Sequence, residues 1–479
     1  MPPPPETTSL AASTALSAQS LFDYLYFHVV PSPGSVRAGQ QRAASEPRPL
    51  PAGQVSRIAA PWLTRFAPQS QPDFAALRRQ FRQLLAQAVR DERAQDTGGG
   101  KAGCFLSGGT DSSTVAGILK QEEGFAATYS IGFQAEGYDE MAYARLAAKH
   151  FGCEHHEYYV TPDDLVAAIP QVAASYDQPF GNSSALPAYY CAKMAREDGV
   201  TRILAGDGGD ELFGGNTRYA KQRVFGWYSQ VPGPLRSAVL EPLLLHTPVG
   251  ALPGLKKGRS YIEQARVPLP ARMETYNLLL RLGPAQVLEP TFLTQVDQQA
   301  PAQQQQQVWD RIRAANPTAS ELNIALAFDW RYTLAESDLP KVKGTCALAG
   351  IDVGFPMLSE ALIDFSTTLP DHYKLKGLKL RWFFKEALRG FLPDEILVKK
   401  KQGFGLPFGV WATQNAGLRG LAEDSLGSLG TRGIVQPGFI HTLLKDHLPQ
   451  HPGYYGEMVW ILMMLEQWLR AHAPDARLR

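Results

Sequence analysis

The sequence predicts an α/β fold with a parallel sheet and flanking helices, followed by a largely helical C-terminal half. Short apolar runs alternate with amphipathic helical segments as far as about residue 206, which is typical of βαβ units. From about residue 225 onward the periodicity is mostly that of helices. The chain has 479 residues, of which 44% are hydrophobic, and this is enough for about three domains with large cores.

The first 95 residues contain one clear helical segment. Residues 1–20 are rich in Pro, Ser, Thr and Ala and are predicted to be disordered. Residues 21–95 are predicted to form a connector that ends in an amphipathic helix, because apolar residues recur at helical spacing from Asp73 to Glu92. Several prolines between residues 31 and 51 argue against a long helix before it.

Residues 96–225 are predicted to form the α/β core. Strands are expected near 103–106, 127–132, 155–160 and 201–206, and helices near 112–122, 139–151, 162–176 and 187–198. Residues 226–479 are predicted to form the helical part that completes the site, and to end in a buried apolar helix near 458–469.

Composition excludes several classes of protein. The formal net charge of +1 offers no electrostatic case for binding nucleic acid or an acidic membrane surface. The four cysteines have neither metal-site nor disulfide spacing, which favours thiols in a reducing compartment. The N-terminus lacks the pattern of a signal peptide, and no apolar run is long enough to span a membrane. A cytoplasmic protein is therefore predicted.

The most informative motif is Ser-Gly-Gly-Thr-Asp-Ser at residues 107–112, between a predicted strand and a predicted helix. Its glycines allow close approach of the backbone to an anion, and its hydroxyls and the helix N-terminus offer donors. Asp111 would repel a bare phosphate, so it indicates a bridging cation, most simply Mg²⁺. The residues predicted to bind phosphate here are Ser107, Gly108, Gly109, Thr110, Asp111 and Ser112. An ordinary capped turn is the alternative.

A second turn, Ala-Gly-Asp-Gly-Gly-Asp-Glu at residues 205–211, follows another predicted strand. It crowds the carboxylates of Asp207, Asp210 and Glu211, which is costly unless a cation lies between them. Ligands of open α/β sheets bind beyond the carboxyl ends of the strands, so the two turns are expected to meet. Asp111 and Asp210 would then share one Mg²⁺. A solvated acidic loop is the alternative.

The sequence resembles the synthetase domain of class B asparagine synthetases, in the ATP pyrophosphatase (PP-loop) superfamily. The resemblance rests on SGGTDSS, GDGGDELFGG, the stretch QPFGNSS from Gln178 and the stretch KQGFG from Lys401, and it runs from about residue 21 to the end. It implies an adenine nucleotide α-hydrolase-like fold, with ATP and Mg²⁺ as cofactors. It also implies amide synthesis through an acyl-adenylate, with pyrophosphate and AMP released and ammonia or an amine as the attacking group.

The resemblance also implies roles for individual residues. Lys401 would stabilise charge at the α-phosphate, although a lysine run such as 399–401 is more often a solvated surface. Asp207 would orient or deprotonate the incoming amine, and Asp338 and Lys341 are weaker candidates near the site. Main-chain contacts to the nucleotide are expected at Leu106, Ile131, Ala205 and Gly206.

Three departures from the family pattern bear on the substrates. Pro2 stands where the family's glutaminase has its nucleophilic cysteine, so we expect the glutaminase domain to be lacking. Nitrogen would then come from free ammonia, a separate glutaminase or an amine. Gly354 and Ser359 replace a family Arg and Asp, which puts aspartate in doubt as the substrate. A sugar uronate, a peptide side chain and an intramolecular carboxylate are the candidates.

Two other functions remain open at this point. A non-catalytic scaffold descended from a synthetase would keep the fold but not the activity. A tRNA-modifying enzyme with the same loop would be expected to have a basic surface or paired cysteines. The near-zero net charge and the scattered cysteines argue against the second of these functions.

Overall fold

The centre of the molecule is a five-stranded parallel sheet. The computed structural model describes residues 15–42, 61–245, 255–399 and 405–478. The strand order is β3-β2-β1-β4-β5, and a two-stranded antiparallel hairpin, β6-β7, lies apart from it. The strands are β1 (Gly103–Phe105), β2 (Ala127–Phe133), β3 (Glu154–Val160), β4 (Arg202–Leu204), β5 (Asp352–Gly354), β6 (Leu375–Lys376) and β7 (Lys379–Leu380).

Helices connect the strands of the core and precede it. They are α1 (Ala18–Phe27), α2 (Phe74–Ala94), α3 (Thr110–Glu123), α4 (Met141–Phe151), α5 (Pro162–Ser175), α6 (Ala185–Glu197), α7 (Gly209–Phe213) and α8 (Thr217–Gln230). Their ends follow local rules. In α5, for example, Thr161 and Asp164 form a capping box and Pro162 occupies the first turn.

The rest of the described chain is mostly helical. Its α-helices are α9 (Gly233–Leu235), α10 (Glu241–Leu245), α11 (Leu255–Ala265), α12 (Leu278–Leu282), α13 (Pro284–Val287), α14 (Pro290–Leu293), α15 (Ala300–Ala315), α16 (Glu321–Asp329), α17 (Leu339–Ala349), α18 (Glu360–Thr368), α19 (Asp371–Lys374), α20 (Trp382–Ala387), α21 (Asp394–Val398), α22 (Phe408–Gln414), α23 (Ala416–Leu429), α24 (Pro437–Thr442), α25 (Leu448–Gln450) and α26 (Pro452–His472). Three segments are π-helical: Arg236–Leu240, Trp330–Asp338 and Leu443–His447. Three are 3₁₀-helical: Pro61–Leu63, Ala271–Glu274 and Pro356–Leu358.

The predicted α/β class with a helical C-terminal half is confirmed. All four predicted strands of the core pair in parallel, with Cys104 of β1 opposite both Thr128 of β2 and Leu204 of β4. β4 is buried throughout, as expected for an inner strand covered by helices on both faces. Most residues of the apolar segment 458–469 are buried inside α26, which confirms the predicted C-terminal helix.

The structure adds one strand to the predicted organisation and differs from it at the N-terminus. The largely helical C-terminal half also supplies β5, which pairs with β4 at the edge of the sheet. Three residues show no periodicity, so only pairing with β4 makes this segment a strand. In addition, α1 begins at Ala18, inside the stretch predicted to be disordered, because Ser17 caps it and Leu21 and Phe22 are buried. Residues 1–14 lie outside the described residues.

Two apolar cores hold these elements. One lies around the sheet and α2, and the other surrounds α26 and includes α1. The hydroxyl of Tyr24 donates to the carbonyl of Ile461 over 2.8 Å, which ties α1 to α26. None of the helices in the described ranges is both long and apolar enough to cross a membrane.

Candidate functional site

The two predicted turns meet at the point where the sheet changes direction. The chain builds β1, β2 and β3 outward and then returns to add β4 on the other side of β1. This leaves a crevice at the carboxyl ends of β1 and β4. The first loop (107–112) follows β1, and the second loop (205–211) follows β4. A Cβ on Gly206 would lie 2.8 Å from the amide nitrogen of Ser112, so the loops are in direct contact.

The first loop has the shape of an anion cradle. Gly108 has φ +69°, and a Cβ there would lie 2.5 Å from the backbone nitrogen of Ala144 in α4. The hydroxyl of Ser112 accepts from the amide of Ser107 over 3.1 Å, which folds the loop over the start of α3. Gly109 at the N-cap has no side chain to compete for the first amides of α3. An incoming phosphate can therefore reach the helix N-terminus.

The second loop places its carboxylates against the first. Gly208 has φ +100°, and a Cβ there would collide with the side chain of Leu358. A Cβ on Gly209 would collide with the carboxylate of Asp111. Glycine is therefore needed at both positions for the loops to approach so closely.

Arg381 lies between the two carboxylates that were predicted to share Mg²⁺. Its Nη1 and Nη2 donate to the two oxygens of Asp111 over 2.6 and 2.7 Å. Nη1 also donates to Oγ1 of Thr110 over 2.7 Å. Nη2 lies 2.9 Å from Oδ1 of Asp210. The structure thus brings Asp111 and Asp210 to one point, and a guanidinium occupies that point.

Sequence reasoning missed Arg381, which the hairpin β6-β7 delivers to the site. The residue has φ +54°, a strained value outside glycine, and α20 begins directly after it. Its side chain is only 6% exposed, and the guanidinium lies 4.9 Å from the ring centre of Phe384. A lone arginine inside the apolar run 380–384 was the available signal, because a buried charge requires partners.

A second charged group lies beside the loops and consists of Asp207, Lys341 and Asp338. Nζ of Lys341 lies 2.8 Å from Asp338 and 3.9 Å from Asp207. Asp338 ends the π-helical segment Trp330–Asp338, a distortion that is frequent at functional sites. The weaker candidates from the sequence therefore lie next to Asp207.

The pKa of Asp207 is raised toward neutrality, which is useful for acid–base chemistry. Burial raises the pKa of Asp207 to about 6, although Lys341 acts in the opposite direction. For Lys341 burial lowers the pKa, but Asp338 and Asp207 outweigh it and bring the value to about 12. Asp207 is therefore a carboxylate whose pKa lies near neutrality, as a general base requires.

Glu211 is the buried carboxylate of the second loop. Burial, together with the neighbouring charges of Asp338 and Asp329, raises its pKa to about 8. This shift favours the protonated carboxyl near neutral pH. A proton on Glu211 would relieve part of the charge crowding that the sequence indicates in this loop.

The predicted nucleotide positions lie at the strand ends of the same crevice. The carbonyl of Leu106 accepts from the hydroxyl of Ser130 over 2.5 Å, and the amide of Ala205 donates to Gly354 over 2.9 Å. Ile131 is half-buried in β2. Leu106, Ile131, Ala205 and Gly206 thus follow or belong to neighbouring strands, but their contact with adenine stays a prediction.

Lys401 lies outside the described residues, whereas both flanks of its loop are described. Nζ of Lys399 lies 2.7 Å from Glu140, the N-cap residue of α4. On the other side, a Cβ on Gly405 would lie 3.7 Å from the ring of Tyr138. Because Gly108 also packs on α4, the contacts of Lys399 and Gly405 lie in the neighbourhood of the first loop.

The two replaced family positions lie at the end of β5 and directly after the 3₁₀-helical segment Pro356–Leu358. A Cβ on Gly354 would lie 2.5 Å from the carboxylate of Glu92 in α2 and 2.9 Å from Leu204. Ser359 is buried, and its hydroxyl has no partner among the described residues. These surroundings concern the packing of α2 on the sheet. They give no support to the idea that the replacements exclude aspartate.

The donor set fits a hard divalent cation. Two carboxylates converge from separate loops, and oxygen is the ligand that Mg²⁺ prefers. The glycines of the second loop allow the two loops, and therefore their carboxylates, to approach each other closely, as such a site needs. The fit holds for the carboxylates, provided that the guanidinium of Arg381 moves or shares the space.

Comparison with known proteins gives a consistent result. The family model described as asparagine synthase matches residues 80–470. Over 459 residues the chain is 24% identical to "Asparagine synthetase [glutamine-hydrolyzing] 1" of Bacillus subtilis, covering 95% of this chain and 68% of that protein. A putative asparagine synthetase of Mycobacterium bovis is 25% identical over 474 residues, with the same coverage. The protein "Putative asparagine synthetase [glutamine-hydrolyzing] 2" of Methanocaldococcus jannaschii is 41% identical over 136 residues, which are 28% of this chain and 25% of that protein.

Proposed function

This chain belongs to the asparagine synthase family, and from that membership we propose that it is an ATP-dependent, AMP-forming amide ligase. The carboxylate of one substrate attacks the α-phosphate of ATP and forms an acyl-adenylate with release of pyrophosphate. Ammonia or an amine then attacks the acyl carbon, and AMP leaves. Relatives named as asparagine synthetases support the ligase class, and the site supports the individual steps.

The first loop is proposed to hold the β- and γ-phosphates. Its glycines and the N-terminus of α3 offer backbone donors, and Ser107, Thr110 and Ser112 offer hydroxyls. The nucleotide base would lie along the strand ends at Leu106 and Ile131. This orientation directs the α-phosphate toward the second loop.

Asp111 and Asp210 are proposed to hold Mg²⁺. When bound there, the ion would neutralise charge on the leaving pyrophosphate. The two carboxylates supply it with oxygen ligands from both loops. The meeting of these two carboxylates from separate loops is the observation that supports the proposal most directly.

Asp207 is proposed to act in the amine step. With a pKa of about 6 it is largely ionised at neutral pH and can take a proton from the attacking amine. Lys341, which is itself paired with Asp338, orients it. Lys401 is proposed as the cation that stabilises the α-phosphate, since Lys399 contacts the N-cap of α4 and Gly405 lies beside Tyr138, which precedes that helix.

Exchange of labelled pyrophosphate into ATP, measured with a panel of carboxylates, tests the first step. The panel should contain aspartate, hexuronates and acidic peptides. Exchange that depends on one carboxylate and is lost in Asp111→Asn supports the ligase. Exchange without any carboxylate, or full exchange in Asp111→Asn, contradicts it. Glu154→Gln is the matched control, because Glu154 is exposed and lies at the opposite end of the sheet.

One observation favours the scaffold as a second candidate. Arg381 fills the position proposed for the metal, as it would in a protein that no longer binds nucleotide. Calorimetric titration with ATP and Mg²⁺ distinguishes the two functions. Binding at millimolar ATP or below supports the ligase, and no binding supports the scaffold.

A further inference from the structure

Arg381 has more donors than its partners use. Two carboxylates and a hydroxyl occupy Nη1 and Nη2, whereas Nε is buried and has no hydrogen-bond partner among the described residues. A buried donor without an acceptor is rare in folded proteins. This donor lies beside Asp210 and Gly215, just beyond the second loop, and a Cβ on Gly215 would collide with it.

We propose that Arg381 binds pyrophosphate oxygens and keeps the metal position closed until nucleotide is present. The inference rests on the proposed function of the same site. Without nucleotide, the guanidinium holds Asp111 and Asp210 together as their counter-ion. With nucleotide, Nε and one Nη group pair with phosphate oxygens, and the carboxylate oxygens become available to Mg²⁺.

The charges explain why the order of binding matters. Two carboxylates and one guanidinium carry a net charge of about −1, and a divalent ion added alone would leave a positive excess in a largely buried site. The triphosphate brings enough negative charge for both cations. Arginine suits this exchange of partners because its planar fork pairs equally well with carboxylates and phosphates.

Binding of Mn²⁺, followed by electron paramagnetic resonance on the full chain, tests this order without any turnover. Wild type should bind Mn²⁺ at least ~10-fold more tightly with a non-hydrolysable ATP analogue than without it. Arg381→Met should bind Mn²⁺ without nucleotide at least ~10-fold more tightly than wild type. Arg389→Gln, which removes an exposed arginine beyond α20, should behave as wild type.

Two results would overturn the inference. They are equal binding of Mn²⁺ by wild type with and without the analogue, and no gain in Arg381→Met once its fold is verified by circular dichroism. If Arg381→Met does not fold, Arg381→Lys is used, and its affinity for pyrophosphate should fall at least ~10-fold because the bidentate fork is lost. Unchanged affinity contradicts the proposal. Failure of carboxylate-dependent exchange beside a normal Mn²⁺ pattern would reject the ligase and not this inference.

An independent observation concerns residues 217–245 and 255–281, together called the basic arm. Its sequence holds ten Lys or Arg residues and three Glu or Asp residues, whereas the whole chain is nearly balanced, with 47 and 46. In the described residues, nine large apolar side chains are exposed, and six of them belong to the arm. The six are Trp227, Leu235, Leu243, Tyr261, Tyr276 and Leu280.

Some apolar side chains of the basic arm pack against one another, whereas others are exposed to solvent. The ring of Phe225 lies 5.4 Å from that of Tyr261, and Ile262 is buried beside them. Trp227 is two residues after Phe225, and helical geometry therefore turns it to the opposite side of α8. Its side chain is 50% exposed.

We infer that the basic arm docks on an anionic membrane surface. Exposed Trp and Leu side chains beside Lys and Arg are the combination that binds the interface of anionic lipid layers. The excess positive charge favours an anionic lipid layer over a protein as the partner, because an ordinary protein surface has no comparable negative potential. Docking of this kind is peripheral and inserts no helix.

Cosedimentation with vesicles tests the inference. The protein should bind vesicles with 30% phosphatidylglycerol and not pure phosphatidylcholine, and high salt should release it. The double variant Trp227→Ser, Leu235→Ser should lose at least ~10-fold in binding, whereas Leu378→Ser, exposed on the β6-β7 hairpin, should not. Equal binding to both vesicles, or binding to an acidic polysaccharide instead of either vesicle, contradicts the inference.

Discussion

Carboxylates crowd both ends of the central sheet, and the two ends behave in opposite ways. At the carboxyl end, the carboxylates of Asp207 and Glu211 are largely buried among helices, and burial raises the pKa of each. At the amino end, Glu154 and Asp198 lie near the surface. Hydrogen bonds from neighbouring side chains lower the pKa of Glu154. Burial acts to raise the pKa of Asp198, but its hydrogen bonds and cationic neighbours together outweigh burial and lower it.

The comparison shows that residue type alone does not identify a reactive site. The amino-end group of Glu154, His156 and Asp198 has the composition of a metal site. However, the ammonium of Lys101 already lies 3.2 Å from Glu154 and 2.9 Å from Asp198, and the group is open to solvent. Ion pairs of this kind stabilise a surface modestly. Of these two described groups, the one at the carboxyl end has the raised pKa values that are typical of functional sites.

The largest expected effect is a difference in pyrophosphate exchange between variants at the carboxyl end of the sheet and a variant at its amino end. Asp111→Asn and Asp210→Asn should each lower carboxylate-dependent pyrophosphate exchange by at least ~10³-fold, because the charge that balances the metal and Arg381 is removed. Glu154→Gln at the amino end should change the rate by less than ~2-fold. The measurement is the exchange rate at saturating ATP. Similar losses at both ends would remove the distinction between them.

Removing Lys341 should sharpen the assignment of Asp207. Lys341 lowers the pKa of Asp207, so Lys341→Met should move that pKa above about 6 and leave less ionised base at neutral pH. Amide formation should then fall roughly 10²-fold, with the acidic limb of the pH–rate profile shifted to higher pH. Pyrophosphate exchange should fall much less, since it precedes the amine step.

Lys193→Met, which removes an exposed lysine of α6, is the control for that experiment. An unshifted acidic limb in Lys341→Met would show that Asp207 is not the group that titrates. Equal losses of exchange and amide formation would instead assign Lys341 to ATP binding or to the fold.

Glu211, at the carboxyl end of the sheet, should make the free energy of unfolding of the protein decrease as the pH rises. Its folded pKa of about 8 lies above the ordinary value of 4.5, so the folded state keeps a proton that the unfolded chain loses. Stability from this group is complete below pH 4.5 and is lost as the pH rises toward 8. Glu211→Gln should therefore raise the free energy of unfolding at pH 8 by roughly 2–4 kcal/mol.

Urea unfolding of wild type and Glu211→Gln at pH 5 and pH 8 measures this. The variant should gain stability at pH 8 and little at pH 5. An equal change at both values would mean that Glu211 is not protonated in the folded state at neutral pH.

The smallest effect is expected at the amino end, with the opposite dependence on pH. The pKa of Asp198 is lowered, so its contribution is present above the unfolded pKa and is lost as the pH falls through the folded value. Asp198→Asn should cost less than about 1 kcal/mol at pH 7 in urea unfolding, and high salt should reduce the difference. A loss as large as the gain in Glu211→Gln would contradict the surface character of this group.

The strands and helices of the core could be predicted because each has a local signal. Apolar runs mark β1, β2 and β4, and the turn residues after β1 and β4 mark the loops. Because ligands lie at the carboxyl ends of parallel strands, the order of these elements also predicts that the two loops lie side by side. Their contact through Gly206 and Ser112 agrees with that expectation.

The rest depended on contacts between segments far apart in the chain. β5 has three residues and becomes a strand only beside β4. The net charge of the whole chain is near zero and therefore did not indicate the basic arm. Binding to a charged surface depends on the local distribution of charge, which the net charge averages out. Arg381 is 270 positions from Asp111, and no spacing rule links them.

By itself, the sequence determined the order of elements, the two glycine-rich turns and the carboxylates they carry, since periodicity and turn chemistry act over a few residues. Tertiary structure alone decided which carboxylate is balanced by Arg381, which by Lys341 and which by a proton. Protonation and ion pairing depend on burial and on distances of a few ångströms, and these exist only after distant segments have packed together.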